Sequence, residues 1–288
     1  MASSGGGLVA GIDPNTSPPA APALVHFRYC RFVPQHHPLE GCLNLRDIGG
    51  YPAGADRVVR TGCLFRSDEL CALTDEDLGA LARLGIKVVF DLRNHGERQA
   101  RPSRLPPDVE LLERSTEPTE GAVVTVEEQI ATATLPERDD GWIGKVYADY
   151  LEHMAPDFRV VVERAAEART RPLLFHCAAG KDRTGLTAAL LLGLLGVSDD
   201  VILNDYDLTN DHYTPGRLSA LEPLLTRHGV PEERVRFLFE ARREVMADTL
   251  RMLHDRWGGF DGYASEVLGL TAELPERLRS ELLTPAEG

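Results

Sequence analysis

His176-Cys177-Ala178-Ala179-Gly180-Lys181-Asp182-Arg183-Thr184-Gly185 lies between two apolar runs. Upstream, Pro172-Leu173-Leu174-Phe175 suits a buried strand, and downstream, residues 186–197 are apolar on every side and suit a core helix. A loop of this kind opens onto a helix N-terminus, where backbone N–H groups without intrahelical partners converge and the helix dipole adds positive charge. Such a point stabilises an anion, phosphate above all. Free cysteine titrates near pH 8.5, and a helix N-terminus beside cations lowers this, so Cys177 is expected to serve as a thiolate nucleophile. Arg183 supplies a planar guanidinium able to hold two phosphate oxygens and follow them into the transition state. Gly180 lets the backbone approach the ligand, and Thr184 can donate its hydroxyl to the sulfur. The fold expected around the loop is α/β: a central, mostly parallel sheet flanked by helices, with a helical insertion and a helical C-terminal half.

The decapeptide resembles the signature loop of cysteine-dependent protein tyrosine phosphatases, and its Gly-Lys-Asp-Arg-Thr-Gly version resembles the bacterial family typified by mycobacterial protein tyrosine phosphatase B. Other blocks are similar to that family. They are Asn44-Leu45-Arg46-Asp47-Ile48-Gly49-Gly50, Leu64-Phe65-Arg66-Ser67-Asp68, the stretch Leu84 to Arg93, and Asp205-Tyr206 with Thr209-Asn210. The resemblance runs discontinuously from about residue 24 to residue 210. It implies a phosphatase-like fold and hydrolysis of phosphate monoesters, a reaction whose uncatalysed rate can require accelerations of up to about 10²¹. Cys177 would attack phosphorus, and Arg183 with the amides of Ala178, Ala179, Gly180, Lys181 and Asp182 would hold the oxygens. Water would then hydrolyse the cysteinyl-phosphate, releasing phosphate and the thiol. The rival is a catalytically silent module that binds phosphate esters without turning them over.

A Trp-Pro-Asp acid loop is absent, the two tryptophans being Trp142 and Trp257. The family instead implies Asp182, inside the loop, as general acid and Asp91, at a strand end, as a supporting carboxylate. On the residues alone, Asp182 could equally brace Arg183, and Asp91-Leu92-Arg93 could be a structural ion pair. His176 is expected to hydrogen-bond within the loop and support the thiolate. Lys181 adds a cation, which in this family accompanies activity on phosphoinositides as well as phosphotyrosine, so the implied partners are phosphorylated proteins or phosphoinositides. No cofactor and no metal are expected: His26, His36 and His37 sit among prolines and read as surface residues.

The chain has 288 residues, 43% of them hydrophobic, enough for one sizeable core, and its net charge of −14 opposes nucleic-acid binding over the whole surface. Five cysteines at irregular spacing describe no disulfide framework. Cys30, Cys42, Cys63 and Cys71 read as buried or half-buried thiols, and nothing in the sequence selects one to protect an oxidised Cys177. Residues 1–23 read as a flexible tail and 24–288 as the catalytic domain. With neither a signal peptide nor an apolar run long enough for a membrane span, the cytoplasm is the expected location, export without a signal staying open. Oligomeric state is not legible.

Residues 24–33 and 57–65 are β-rich, Thr74-Asp75-Glu76-Asp77 starts a helix ending at Gly85, and residues 86–92, 109–112 and 173–176 are strands, the last of them central. Residues 120–170 form an insertion. Its first part, 120–140, looks mobile, and 142–168 is a helix whose stripe of Ile143, Val146, Tyr147, Tyr150, Leu151 and Met154 is either core or a lid. Ser198 caps a helix through 210, residues 215–228 and 231–254 form two more, and 263–268 and 275–283 complete a helical region spanning 198–288.

Overall fold

In chain order the structure, a computed structural model describing Met1 and residues 35–114, 125–137 and 139–286, begins with β1 (Arg46–Asp47), β2 (Pro52–Ala53), β3 (Arg57–Val59) and β4 (Leu64–Ser67). Helix α1 (Asp75–Arg83), β5 (Val88–Asp91), α2 (His95–Ala100) and β6 (Glu110–Glu113) follow. Then come α3 (Val126–Ala131), α4 (Asp140–His153), α5 (Ala155–Ala165), β7 (Leu173–His176) and α6 (Asp182–Leu194). The C-terminal half consists of α7 (Asp199–His212), α8 (Thr214–His228), α9 (Glu232–Phe239), α10 (Arg243–Trp257), α11 (Phe260–Glu266), α12 (Glu273–Leu282) and β8 (Leu283–Pro285).

The central sheet has the order β1-β4-β7-β5-β6, parallel throughout except for β1. Strands β4, β5 and β7 are buried on both faces and their side chains alternate between two apolar layers, as a period of two requires, whereas the edge strand β6 is largely exposed. Leu64, Val88, Phe90, Leu173 and Phe175 join the larger core, which also takes in α5 and α6, whereas Phe65, Val89 and Leu174 join the layer that includes Leu81 of α1. Parallel register puts Ser67, His176 and Asp91 side by side at the carboxyl edge. That edge is where ligands bind in open α/β sheets. A third apolar cluster is built by α3, α8 and α9, and Ala179 packs against it.

Several boundaries differ from the sequence expectation. The run 57–65 is split, because Gly62 turns with φ +69°: β3 enters a separate antiparallel sheet, β2-β3-β8, and β4 enters the central one. β8 carries no strand signal of its own and forms by pairing with β3. The helix at 142–168 breaks at Met154, where Pro156 can begin α5 but could not continue α4. Likewise 231–254 breaks between α9 and α10, where Glu240 turns to an extended conformation. Residues 125–137, within the segment read as mobile, carry α3 with a full Thr125–Glu128 capping box. Thr74 and Asp77 form the expected box on α1, whereas Ser198 sits at the N-cap of α7 without a side-chain capping bond. The expected tail and the β-rich 24–33 lie outside the described residues. Among the described residues no helix is long and apolar enough to cross a membrane.

Candidate active site

The loop between β7 and α6 is held from outside by its carbonyls. Ala178 O accepts from the Glu69 amide at 3.1 Å, Ala179 O from Asn44 Nδ2 at 3.0 Å, and Gly180 O from Arg66 Nη2 at 2.7 Å and Asn44 Nδ2 at 3.3 Å. Among the described residues the amides of Ala178, Ala179, Gly180 and Lys181 donate to nothing. They open onto the first turn of α6, where the helix's own leading N–H groups also lack intrahelical partners. Gly180 makes this turn possible with φ +65°, and a Cβ there would stand 2.4 Å from Ser67 O. A Gly180→Ala variant should therefore lose stability by about 1–3 kcal/mol and distort the loop. A thermal melt together with the activity assay checks this, and wild-type values for both would contradict the loop's geometry.

Behind the loop is a buried ionic cluster made from three of the sequence blocks noted above. β1–β4 pairing puts Arg46 opposite Arg66, a repulsive arrangement that Asp205 of α7 neutralises. Asp205 accepts from Arg46 Nε at 3.0 Å, from Arg66 Nη1 and from Tyr51 Oη at 3.1 Å. Burial would raise its carboxyl, but the two guanidiniums hold it at about 2. Arg46 also donates to Asn44 O at 3.2 Å, and Asp68 fixes the Asn44 amide at 2.9 Å, so the residues grasping the loop are themselves braced.

Cys177 is recessed, 2% exposed, at the start of the loop. Arg183, in the first turn of α6, is buried and grips Glu97 with both terminal nitrogens, at 2.7 and 2.9 Å, while Nη1 also donates to Leu92 O at 3.2 Å. The pairing overrides burial on both sides, pushing Arg183 well above its ordinary value and Glu97 below. Glu97 also closes the N-terminus of α2 by accepting from the Asn94 amide at 2.7 Å. Sequence reasoning missed Glu97. The capping box Asn94-x-x-Glu97 was readable, but such a box announces a helix start and not a partner 86 residues away.

Asp182 is the first residue of α6, its side chain 33% exposed. Its Oδ1 accepts from Tyr147 Oη at 2.7 Å and lies 3.6 Å from Lys181 Nζ. A cavity of about 160 Å³ adjoins it, lined by Trp142, Val146 and Tyr150 of α4, by Phe237 and Leu238 at α9, and by Lys181. Of the α4 stripe, Ile143, Tyr147 and Leu151 are in the core, and Ile143 and Tyr147 also reach the cavity wall. Lys181 is buried rather than solvent-facing, donating to Leu238 O at 2.8 Å.

Asp91 lies at the carboxyl edge, but its oxygens are occupied. Arg93 Nε and Nη2 donate to it at 2.9 and 2.7 Å and Ser103 Oγ at 3.0 Å. Against the burial that would raise it, its partners hold the carboxyl below its ordinary value. Burial pushes the adjacent His176 below its ordinary value, leaving it neutral, so the Arg93 fork is what keeps Asp91 ionised. A carboxylate so held has no proton to give at neutral pH; this is the ion-pair alternative of the Asp-Leu-Arg run. His176 Nδ1 lies 3.2 Å from the Cys177 carbonyl oxygen, and Nε2 is buried without a hydrogen bond, 3.6 Å from Asp91. The Thr184 hydroxyl is likewise buried without a partner among the described residues, so the expected bond to the sulfur is not formed.

The reading of the histidines changes, and that of the described cysteines holds. His36 and His37 are half-buried rather than surface residues: His36 stacks on His212 with ring centroids 3.8 Å apart and His37 packs against Phe65, while His26 lies outside the described residues. Cys42 is fully buried, donating to Asp68 at 2.8 Å, with Cys63 and Cys71 half-buried; Cys30 is outside. Among the described residues no group of three or more His, Cys, Asp or Glu side chains could hold a metal ion.

The sequence model of the tyrosine phosphatase family matches residues 37–284. The chain is 30% identical over 241 residues to a tyrosine-protein phosphatase of Nostoc commune, an alignment covering 80% of this chain and 78% of that protein. It is 30% identical over 275 residues to the triple specificity protein phosphatase PtpB of Mycobacterium tuberculosis, with 85% of this chain and 98% of that protein covered.

Proposed function

Because this chain belongs to the tyrosine phosphatase family, we propose that it hydrolyses phosphate monoesters through a cysteinyl-phosphate on Cys177. The sulfur attacks phosphorus in line and the P–O bond to the leaving group breaks. Asp182 gives its proton to the departing oxygen, and water then cleaves the S–P bond, with Asp182 taking back a proton. Arg183 and the amides of residues 178–183 hold the phosphoryl oxygens. The observation that carries this reading is the loop itself: its carbonyls are anchored outward by Asn44, Arg66 and Glu69, which leaves its amides to converge beside Cys177 and Arg183. Asp91, His176 and Thr184 support the loop rather than exchange protons.

Phosphotyrosine is the first substrate class, with phosphoserine, phosphothreonine and phosphoinositides beside it. The triple specificity in the name of the mycobacterial relative supports that breadth, as does the Lys181 charge next to Asp182. The test compares phosphate release from phosphotyrosine, phosphoserine and phosphothreonine peptides and short-chain phosphoinositides, with chelator present throughout. Release from phosphotyrosine that persists in chelator is expected. Binding without release from any of them would favour the silent module.

Asp182→Asn tests the acid role. A positioned general acid contributes about 10²–10⁴-fold, so aryl phosphates with poor leaving groups should slow by that order while 4-nitrophenyl phosphate slows far less. Equal rates across leaving groups would remove Asp182 from this role.

A further inference from the structure

Asp182 does not stand alone at the head of α6. Tyr147 Oη lies 2.7 Å from its Oδ1 and also 2.7 Å from Tyr206 Oη, linking α4, α6 and α7 through three polar groups in a row. Both tyrosines are buried in the main core, and burial followed by the charge of Asp182 pushes their phenols up, Tyr147 well above its ordinary value, so each keeps its proton. The direction of the chain follows from donor inventory. Oδ1 accepts whenever the transferable proton is on Oδ2 or has been given up, so Tyr147 donates to Asp182, and its oxygen is then left to accept from Tyr206. Lys181 Nζ, at 3.6 Å, approaches the same Oδ1. The second carboxylate oxygen, Oδ2, has no hydrogen-bond partner among the described residues.

We infer that the Tyr206–Tyr147 hydroxyl chain positions the catalytic acid: by claiming Oδ1 it turns Oδ2 toward the substrate as the oxygen that carries the transferable proton. Tyr147 and Tyr206 are positioning residues in this account, since neither touches the reacting atoms. The inference rests on the reading of Asp182 as the acid. It also ties the acid to the seating of α4, whose first residue, Asp140, is gripped by Arg242 at 2.9 and 3.0 Å ahead of α10. An α4 displaced from this seat would take Tyr147 off Asp182 and leave the carboxyl free to rotate about its χ angles.

Tyr147→Phe keeps the buried ring and removes the hydroxyl, so the fold is retained and the carboxyl loses its fix. The experiment measures kcat/KM for aryl phosphates of increasingly poor leaving groups in the parent, Tyr147→Phe, Tyr206→Phe, Asp182→Asn and the Tyr147→Phe/Asp182→Asn double variant. For Tyr147→Phe we expect about a tenfold loss on the poorest leaving group, the worth of one charge-assisted hydrogen bond, and little change on 4-nitrophenyl phosphate. Tyr206→Phe should lose less in the same pattern, and the double variant should match Asp182→Asn. A Tyr147→Phe loss equal for all leaving groups, or further loss in the double variant, would reduce the tyrosine to packing and overturn the inference. No leaving-group dependence in Asp182→Asn would instead overturn the acid reading. Should Tyr147→Phe fold poorly, Tyr206→Phe decides alone, a rate pattern like the parent's counting against the chain.

Discussion

A Cys177→Ser variant should release phosphate from an aryl phosphate on the order of 10⁶ times more slowly than the parent while still binding the ester. Losing the nucleophile of a covalent mechanism costs this much in other hydrolases. The neighbouring His176 is not placed to rescue a serine hydroxyl, since it is buried with Nδ1 on the residue 177 carbonyl side and Nε2 toward Asp91. The amides and Arg183 do not depend on the sulfur, because Asn44, Arg66, Glu69 and Glu97 hold them. Initial rates and calorimetric binding of the aryl phosphate check the two halves separately, and equal rates in variant and parent would refute the nucleophile.

The second large effect is on stability. Asp205→Asn leaves Arg46 and Arg66 opposite each other, fully buried and without their common counter-charge. Breaking a buried ion pair from one side costs about 3–5 kcal/mol. A fall of that size in the free energy of denaturant unfolding is expected, together with lower activity, since Arg66 also fixes Gly180 O. The same carboxylate gives the fold an acid limit. Its folded value, about 2, lies below the ordinary 3.8, so its stabilisation is complete above pH 4 and is lost as the pH falls toward 2. Asp91, held below its ordinary value by the Arg93 fork, also loses its contribution as the pH falls. Asp205 contributes about 2 kcal/mol in this way, and a denaturation midpoint in Asp205→Asn that tracks the parent's from pH 7 to 2 would contradict the assignment.

The signature loop and its flanking strand and helix were legible because their information is local: an apolar run, a glycine turn and a second apolar run fix β7, the loop and α6 without reference to the rest of the chain. The central position of β7 followed from its continuous apolarity. What escaped was of two kinds. Short strands such as β8, and the separation of β3 from β4, depend on partners far along the chain, which no window reveals. The roles of Asn44, Arg66, Glu97 and Asp205 arise only when β1, β4, α2 and α7 meet behind the loop, so their blocks could be seen as similar to a family without disclosing that they hold its carbonyls and its arginine. Tyr147 was read as part of an apolar stripe. Periodicity registers its ring and is blind to the hydroxyl that reaches Asp182.

The most direct measurement is to quench the enzyme in acid during steady turnover of an aryl phosphate, digest it, and locate phosphorus by mass spectrometry. The account predicts a single acid-trapped phosphoryl group on the peptide containing Cys177, bonded to sulfur and missing from Cys177→Ser. Phosphorus on any other side chain, or an active enzyme that never carries phosphorus, would contradict it.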